Sequence, residues 1–317
     1  MKPNVFVTRN IPGLDRLTDI CQVDLWPEDF PPPYATLCER IRGVDGLLCM
    51  LTDRIDGALM DAAGSKFKVI SQMAVGYDNI DVQAAHQRGI AIGNTPGVLT
   101  ETTADLAFAL LLASARRLME GVRYIQNGQW ITWQPTALLG SDVTGATLGI
   151  VGLGRIGRAV AKRAAGFDMT VLAYSPHLSD AEAAQSGVQR VDLPELLQRS
   201  DFVSLHCLLS PETRHLINAT TLAQMKRSAI LINTTRGPVV DQIALYEALV
   251  NGVIAGAALD VTDPEPLQAD HPLLKLPNVI IVPHVGSATV GTRGKMAQIA
   301  VDNLIAGVSG QPLPHGV

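Results

Sequence analysis

The feature that most constrains this chain is a glycine-rich turn near its middle. Thr147-Leu-Gly-Ile-Val-Gly-Leu-Gly-Arg-Ile-Gly157 sets Gly152, Gly154 and Gly157 in a G-x-G-x-x-G pattern directly after an apolar run. The run reads as a buried strand, and residues 156–166 read as the helix that follows. That context makes the pattern a dinucleotide fingerprint rather than a plain turn. Gly152 is predicted to make the tight turn, Gly154 to let a pyrophosphate approach the backbone, and Gly157 to let helix and strand pack closely. The helix start adds unpaired N–H groups and a partial positive charge. More than a hundred residues precede the turn and need a fold of their own, for which a chain of 317 residues has room.

Short apolar runs alternate with helical patterns from end to end. Before the turn, strands are predicted over residues 4–8, 46–50, 68–72 and 90–92, with helices over 13–20, 34–42, 56–63 and 82–88. A long helix is predicted over 100–121. Residues 122–144 then lose periodicity around Trp130, Trp133 and Pro135 and read as an arm or long loop. Beyond the turn, strands are predicted over 148–151, 170–174, 202–206, 229–233, 255–259 and 279–282, and helices over 156–166, 193–199, 222–225, 242–251 and 289–306. Such alternation means βαβ units and parallel sheets, hence two doubly wound α/β domains. Ligands then belong beyond the carboxyl ends of the strands, and the cleft between two such domains is the expected reaction site.

Composition narrows the classes of function. Hydrophobic residues make up 47% and charged residues 17%, as in a globular protein. A net charge of −5 without any basic block excludes nucleic acid and anionic membrane as partners. The apolar run over 106–115 stops at Arg116-Arg117, too short to span a bilayer, and the N-terminus lacks the apolar stretch of a signal peptide. Cys21, Cys38, Cys49 and Cys207 are scattered, with no metal-ligand spacing, so reduced thiols in a cytoplasmic protein are expected.

Three strand ends after the turn finish on chemically useful residues: Thr234-Thr-Arg236-Gly, Asp260-Val-Thr-Asp-Pro-Glu265 and Pro283-His284-Val-Gly-Ser287. Singly, Arg236 reads as a surface charge, Glu265 as a solvated loop acid and His284 as a packed loop histidine. Together, beside a nucleotide site, they are the parts needed to reduce a 2-oxo acid. A guanidinium holds a carboxylate and polarises the adjacent carbonyl. An imidazole delivers a proton to the carbonyl oxygen, and a carboxylate on its other nitrogen fixes the tautomer.

These motifs, in this order and spread over essentially the whole chain, resemble the signatures of the D-isomer-specific 2-hydroxyacid dehydrogenases. The resemblance implies a Rossmann cofactor domain (residues 100–286) inserted into a flavodoxin-like substrate domain (residues 1–99 and 287–317). It implies that Arg236 binds substrate, that His284 is the acid/base with Glu265 as its partner, and that the N–H groups of Val75 and Gly76 meet the substrate carboxylate, with Ser287 nearby. Cofactor contacts are implied for Thr103, Gly152, Gly154, Arg155, Ile156, Gly157, Ser175, His177, Cys207, Thr234 and Asp260. Within the family, the segments Asn127-Gly-Gln-Trp-Ile-Thr-Trp-Gln-Pro135 and Gly286-Ser-Ala-Thr289 are similar to those of the glyoxylate/hydroxypyruvate reductase branch. That implies reduction of small 2-oxo acids and a homodimer with residues 122–146 as its arm. Trp133 then either touches the partner subunit's substrate or packs in the interface. Phosphite dehydrogenases share the arm pattern but carry a lysine where this chain has Val75.

One departure bears on the cofactor. Members that use NAD place an acid at the tip of the second strand of this domain, for the ribose hydroxyls. Here residues 170–174 lead into Ser175-Pro176-His177; Asp168 lies at the wrong end of the strand and Asp180 too far along. Without that carboxylate a 2′-phosphate is not repelled, so NADP is expected, with NAD as the alternative. Other readings are a 2-ketogluconate-type dehydrogenase and a dinucleotide-sensing corepressor-like binding protein.

Overall fold

The computed structural model describes residues 2–317. The chain divides into two compact units, one made of the residues up to Leu99 together with Ser287–Val317, the other of Thr100–Gly286.

In the first unit, β1 (Asn4–Val7), β2 (Gln22–Leu25), β3 (Gly46–Cys49), β4 (Val69–Gln72) and β5 (Ala91–Gly93) form a parallel sheet in the order β2-β1-β3-β4-β5. That is a flavodoxin-like order, with one reversal of winding at β1/β3. Strands β3 and β4 are buried along their whole length. β3 is accordingly apolar throughout, as strands covered on both faces tend to be, while β4 runs Val-Ile-Ser-Gln and its buried Ser71 and Gln72 are hydrogen-bonded. One face packs on helices such as Gly57–Ala63, the other on the last helix, Val290–Val308, through Ala297, Ala300, Val301 and Leu304.

The second unit holds β6 (Thr147–Val151), β7 (Thr170–Tyr174), β8 (Gln189–Arg190), β9 (Phe202–Leu205), β10 (Ile230–Asn233), β11 (Gly256–Leu259) and β12 (Val279–Ile281). Their order is β12-β11-β10-β9-β6-β7-β8, all parallel, with the switch of winding between β6 and β9. Alternate residues of β10 feed different cores: Ile230 and Ile232 face one cluster, Leu231 the other. Register decides what meets what. Val151 lies opposite Tyr174 and Leu205, Asn233 opposite Leu205 and Leu259, and Leu259 opposite Ile281. The residues that follow these strands therefore emerge in one row along one edge of the sheet.

The structure corrects several sequence expectations. The helix predicted over 100–121 is two helices, Thr100–Ala115 and Leu118–Gln126, parted by Arg117 in a left-handed conformation (φ 49°). The apolar run that buries the first helix ends at Ala115, and the Arg117–Glu120 ion pair (2.6 Å) closes the corner. The irregular arm consequently starts only after Gln126. The helix predicted over 222–225 is Ala219–Leu222, because the Asn218 side chain accepts from Thr220 and Thr221 N–H and starts it earlier. Edge strands β2 and β8 and the helix Asp180–Gln185 were not predicted; the last carries a Ser179/Glu182 capping box. Among the described residues no helix is long and apolar enough to cross a membrane, and no cluster of His, Cys, Asp or Glu could hold a metal ion.

Candidate active site

The glycine turn shows three different reasons for lacking a side chain. Gly152 sits at φ 94°, and a Cβ there would lie 2.5 Å from the Cys207 nitrogen. A Cβ at Gly157 would sit inside the Gly152 carbonyl oxygen, so this glycine lets the helix Arg155–Ala164 close onto its strand. Gly154 is different: its φ of −79° is ordinary and a Cβ would meet nothing within 4 Å. Neither backbone conformation nor packing explains that glycine; open space in front of the helix start does. The helix has no side-chain N-cap, so its first amides have no side chain to receive them. The Thr234 hydroxyl is buried with no hydrogen-bond partner among the described residues. A cradle that a Cβ would fill and an orphaned hydroxyl on the same strand-end row fit a phosphate-bearing dinucleotide.

Arg155 is exposed and Ile156 half-buried at the start of the same helix, and Cys207 is half-buried against Gly152, its thiol pushed up to about 11 by burial. At the end of β7, Ser175 is half-buried and His177 exposed. Asp180, the nearest following acid, is engaged by Arg190 at 3.0 Å.

At the end of β10, Asn233 is buried and pins the next three residues. Its Oδ1 accepts from the Thr235 N–H (3.0 Å) and hydroxyl (2.9 Å), while its Nδ2 donates to the Arg236 carbonyl (2.9 Å). A Cβ at Gly237 would collide with the Thr262 carbonyl, so the Arg236 turn also abuts the loop after β11. Arg236 is half-buried and its Nη1 donates to the Thr235 carbonyl at 2.8 Å. Asn233 opens the family-like stretch Asn233-Thr-Thr-Arg-Gly237, but sequence alone assigned it no role of its own; an asparagine ending an apolar strand was the available signal.

Asp260, after β11, braces the loop after β12. Its two carboxylate oxygens accept from the N–H groups of Val285 (2.6 Å) and Gly286 (2.9 Å), and its carbonyl accepts from His284 N–H (2.9 Å). Burial pushes this carboxyl above its ordinary value, against the pull of those two donors and of His284. Both oxygens are thus committed to the backbone. Thr103 donates to the Gly286 carbonyl at 3.3 Å and braces the same loop.

The loop holds His284 at φ 51°, unusual for a residue with a Cβ. So placed, its Nδ1 meets Glu265 Oε1 at 2.9 Å. With Glu265 ionised, Nδ1 must be the donor, and the proton of the neutral ring sits there. Nε2 has no partner among the described residues. Both side chains are partly exposed, 26% for His284 and 31% for Glu265. Register therefore brings Arg236, Glu265 and His284 to adjacent strand ends, with Thr234 at the end of the same strand as Arg236 and Gly154 in the same row, two strands along.

The remaining expected residues lie elsewhere. Val75 and Gly76 are half-buried in the first unit, in the loop after β4, and Ser287 precedes the last helix of that unit. Trp133 is 79% exposed in the arm.

A Rossmann-order sheet with an open glycine turn and a paired histidine at its carboxyl edge defines a nicotinamide dinucleotide-dependent oxidoreductase. The chain belongs to the D-isomer specific 2-hydroxyacid dehydrogenase family, whose NAD binding domain matches residues 108–286. It is 52% identical to the glyoxylate reductase of Korarchaeum cryptofilum, across 99% of this chain and 96% of that protein. It is 46% identical to the glyoxylate reductase/hydroxypyruvate reductase of Homo sapiens, across 98% and 96%. Among solved structures it matches an NADPH-dependent glyoxylate/hydroxypyruvate reductase from Sinorhizobium meliloti in complex with NADP and malonate, with a TM-score of 0.89, 33% identity and coverage of 100% and 97%.

Proposed function

We propose that the protein reduces glyoxylate and hydroxypyruvate to the corresponding 2-hydroxy acids, with NADPH preferred and NADH accepted. The observation that carries the reading is the Glu265–His284 pair, with Nε2 of the histidine unpartnered at the carboxyl edge of the sheet. A reduced nicotinamide bound there would supply the hydride that the carbonyl carbon needs. Protonated His284 donates its Nε2 proton to the carbonyl oxygen as that oxygen gains negative charge, and Glu265 stabilises the imidazolium beforehand. In the reverse direction the neutral ring takes the hydroxyl proton. Arg236 binds the carboxylate and polarises the carbonyl, and the N–H groups of Val75 and Gly76 give that carboxylate further donors. The dinucleotide would be held by Gly152, Gly154, Gly157 and the start of the helix that follows, with contacts from Arg155, Ile156, Cys207, Thr234 and Thr103. Asp260 serves the cofactor through the loop it braces.

The preference for NADPH rests on the end of β7. No carboxylate is free there to repel a 2′-phosphate, since Asp180 is paired with Arg190, and Ser175 and His177 offer donors. Homodimer formation is part of the same reading. The helix Leu118–Gln126 buries none of its residues, and the arm beyond it exposes Trp130 (64%), Ile131 (88%) and Trp133 (79%), a run of apolar surface that suits a second copy. A cytoplasmic location suits four cysteines that are all unpaired. The test is a kinetic matrix of NADPH and NADH against glyoxylate, hydroxypyruvate, pyruvate and 2-ketogluconate. Turnover of the two small acids, faster with NADPH, is the expected result; no turnover of any 2-oxo acid with either cofactor would end the proposal.

A further inference from the structure

We propose that Asn94 is a positioning residue that aims the Gly76 N–H at the carboxylate of the 2-oxo acid. The proposal rests on the function argued above and extends it to a residue whose side chain bonds the backbone of the loop after β4. A peptide unit is planar and trans, so its C=O and the N–H of the next residue point in opposite directions. Whatever fixes the Val75 carbonyl therefore fixes the direction of the Gly76 N–H. That carbonyl accepts from Asn94 Nδ2 at 2.8 Å. The preceding unit is held in the same way, because the Ala74 carbonyl accepts from the Thr95 N–H at 3.0 Å, which sets the Val75 N–H. Gln72, fully buried, takes the next carbonyl, that of Gly76, at 3.2 Å. Three successive carbonyls are thus anchored on one side, while among the described residues the N–H groups of Val75 and Gly76 donate to no protein group. Two fixed, unmatched amide donors in sequence form a concavity for an anion.

Asn94 is itself rigidly held. Its N–H donates to the His315 carbonyl (3.1 Å) and its own carbonyl accepts from Asn303 Nδ2 (3.0 Å). Asn303 is fully buried on the last helix, and its Oδ1 accepts from the His315 N–H (3.0 Å). A Cβ on Gly93 would lie 2.7 Å from the Asn303 amide carbon, so a glycine there admits this crossing. The Val75 carbonyl is therefore tied through two buried asparagines to the last helix and to the segment around His315, parts of the chain more than two hundred residues away in sequence.

The test uses full-length Asn94→Leu, which keeps the shape and removes the donor, and Asn94→Asp, which sets an acceptor against the Val75 carbonyl. Steady-state rates with NADPH are measured for glyoxylate and for its methyl ester, which has no carboxylate. Asn94→Leu is expected to raise the KM for glyoxylate roughly tenfold with kcat little changed, the pattern of lost uniform binding. Asn94→Asp is expected to raise it further. The kcat/KM for the ester and the Kd for NADPH should stay within about twofold, the resolution of such comparisons. Equal losses for acid and ester, a parallel loss of NADPH affinity, or an unchanged glyoxylate KM would overturn the proposal. Calorimetric titration of oxamate into each NADPH complex provides a comparison that needs no turnover. Wild-type protein without turnover but with oxamate affinity dependent on Asn94 would refute the proposed reaction and uphold this inference. Oxamate affinity indifferent to Asn94 would refute the inference alone.

Discussion

The glycine turn yields the sharpest test, because two of its glycines have different reasons for being glycine. Gly154→Ala adds a methyl group into open space at an ordinary φ. Fewer unfolded conformations favour the variant by about 0.4–1 kcal/mol, and alanine is a poorer N-cap than glycine by about 0.5 kcal/mol. The two nearly cancel, so the melting temperature should move by no more than about 3 °C. The methyl group would instead stand where a pyrophosphate must approach. Loss of one charge-assisted hydrogen bond to a phosphate, worth about 1.5–3 kcal/mol, weakens NADPH binding roughly 10- to 100-fold. Gly157→Ala sets its Cβ inside the Gly152 carbonyl oxygen, where the helix must shift. Overpacking of that kind costs about 1–3 kcal/mol, so melting falls by several degrees along with affinity. Fluorescence titration of NADPH and thermal melts on both variants separate the cases. Wild-type NADPH affinity in Gly154→Ala, or a stability loss there as large as in Gly157→Ala, would refute the assignment of the turn.

Other expectations follow from the same geometry. His284→Gln should lower kcat about 10²- to 10⁴-fold, the usual worth of a positioned acid, while the Kd for NADPH stays put; near-normal turnover would remove His284 from the reaction. Ser175→Asp restores a carboxylate at the end of β7 and should turn the preference toward NADH by at least about tenfold, read as the ratio of kcat/KM values; an unchanged ratio would refute the argument from charge. Burial holds His206 down to about 3, far below its ordinary 6.5, with Nε2 on the Ser204 hydroxyl at 2.8 Å and Nδ1 without a partner among the described residues. Below pH 6.5 the unfolded chain binds a proton that the folded chain refuses, so stability falls as pH drops from 6.5 toward 3, by up to about 1.4 kcal/mol per unit. His206→Asn should flatten urea-unfolding stability over that window relative to wild type, and parallel curves would contradict the burial argument. Ile125→Glu on the exposed helix face should yield monomers in sedimentation velocity if a second copy covers that face, and an unaltered sedimentation coefficient would count against it.

Much of this molecule was legible in the sequence because its strands are buried on both faces. Runs such as Leu47-Leu48 and Ile230-Leu231-Ile232 carry no polar alternation and announce themselves. The sheet edges were silent for the converse reason: β8 is two exposed residues, and β2 is at most half-buried. The corner at Arg117 was hidden because Leu118, Val122 and Ile125 continue an apolar helical pattern that the fold leaves exposed. The chemistry-bearing residues at the strand ends could be named from motifs alone. Their geometry could not, since the His284–Glu265 contact depends on a left-handed histidine that no local pattern encodes.

That left-handed histidine points to a division of labour in both units. The residues proposed for chemistry stand at the carboxyl ends of strands, and the loop that carries each is held by a buried polar side chain bonded to its backbone. Asp260 fixes the loop of His284, Asn233 the turn of Arg236, and Asn94 the peptide of Val75. A buried amide or carboxylate without bonds costs several kcal/mol, yet each of these is matched by backbone donors or acceptors, and the matched state exists in only one loop conformation. Replacing such a residue by an apolar one need not unfold the sheet, because the apolar layers on either face are intact without it. It releases the loop instead. Rate and affinity are therefore expected to fail at these positions before stability does.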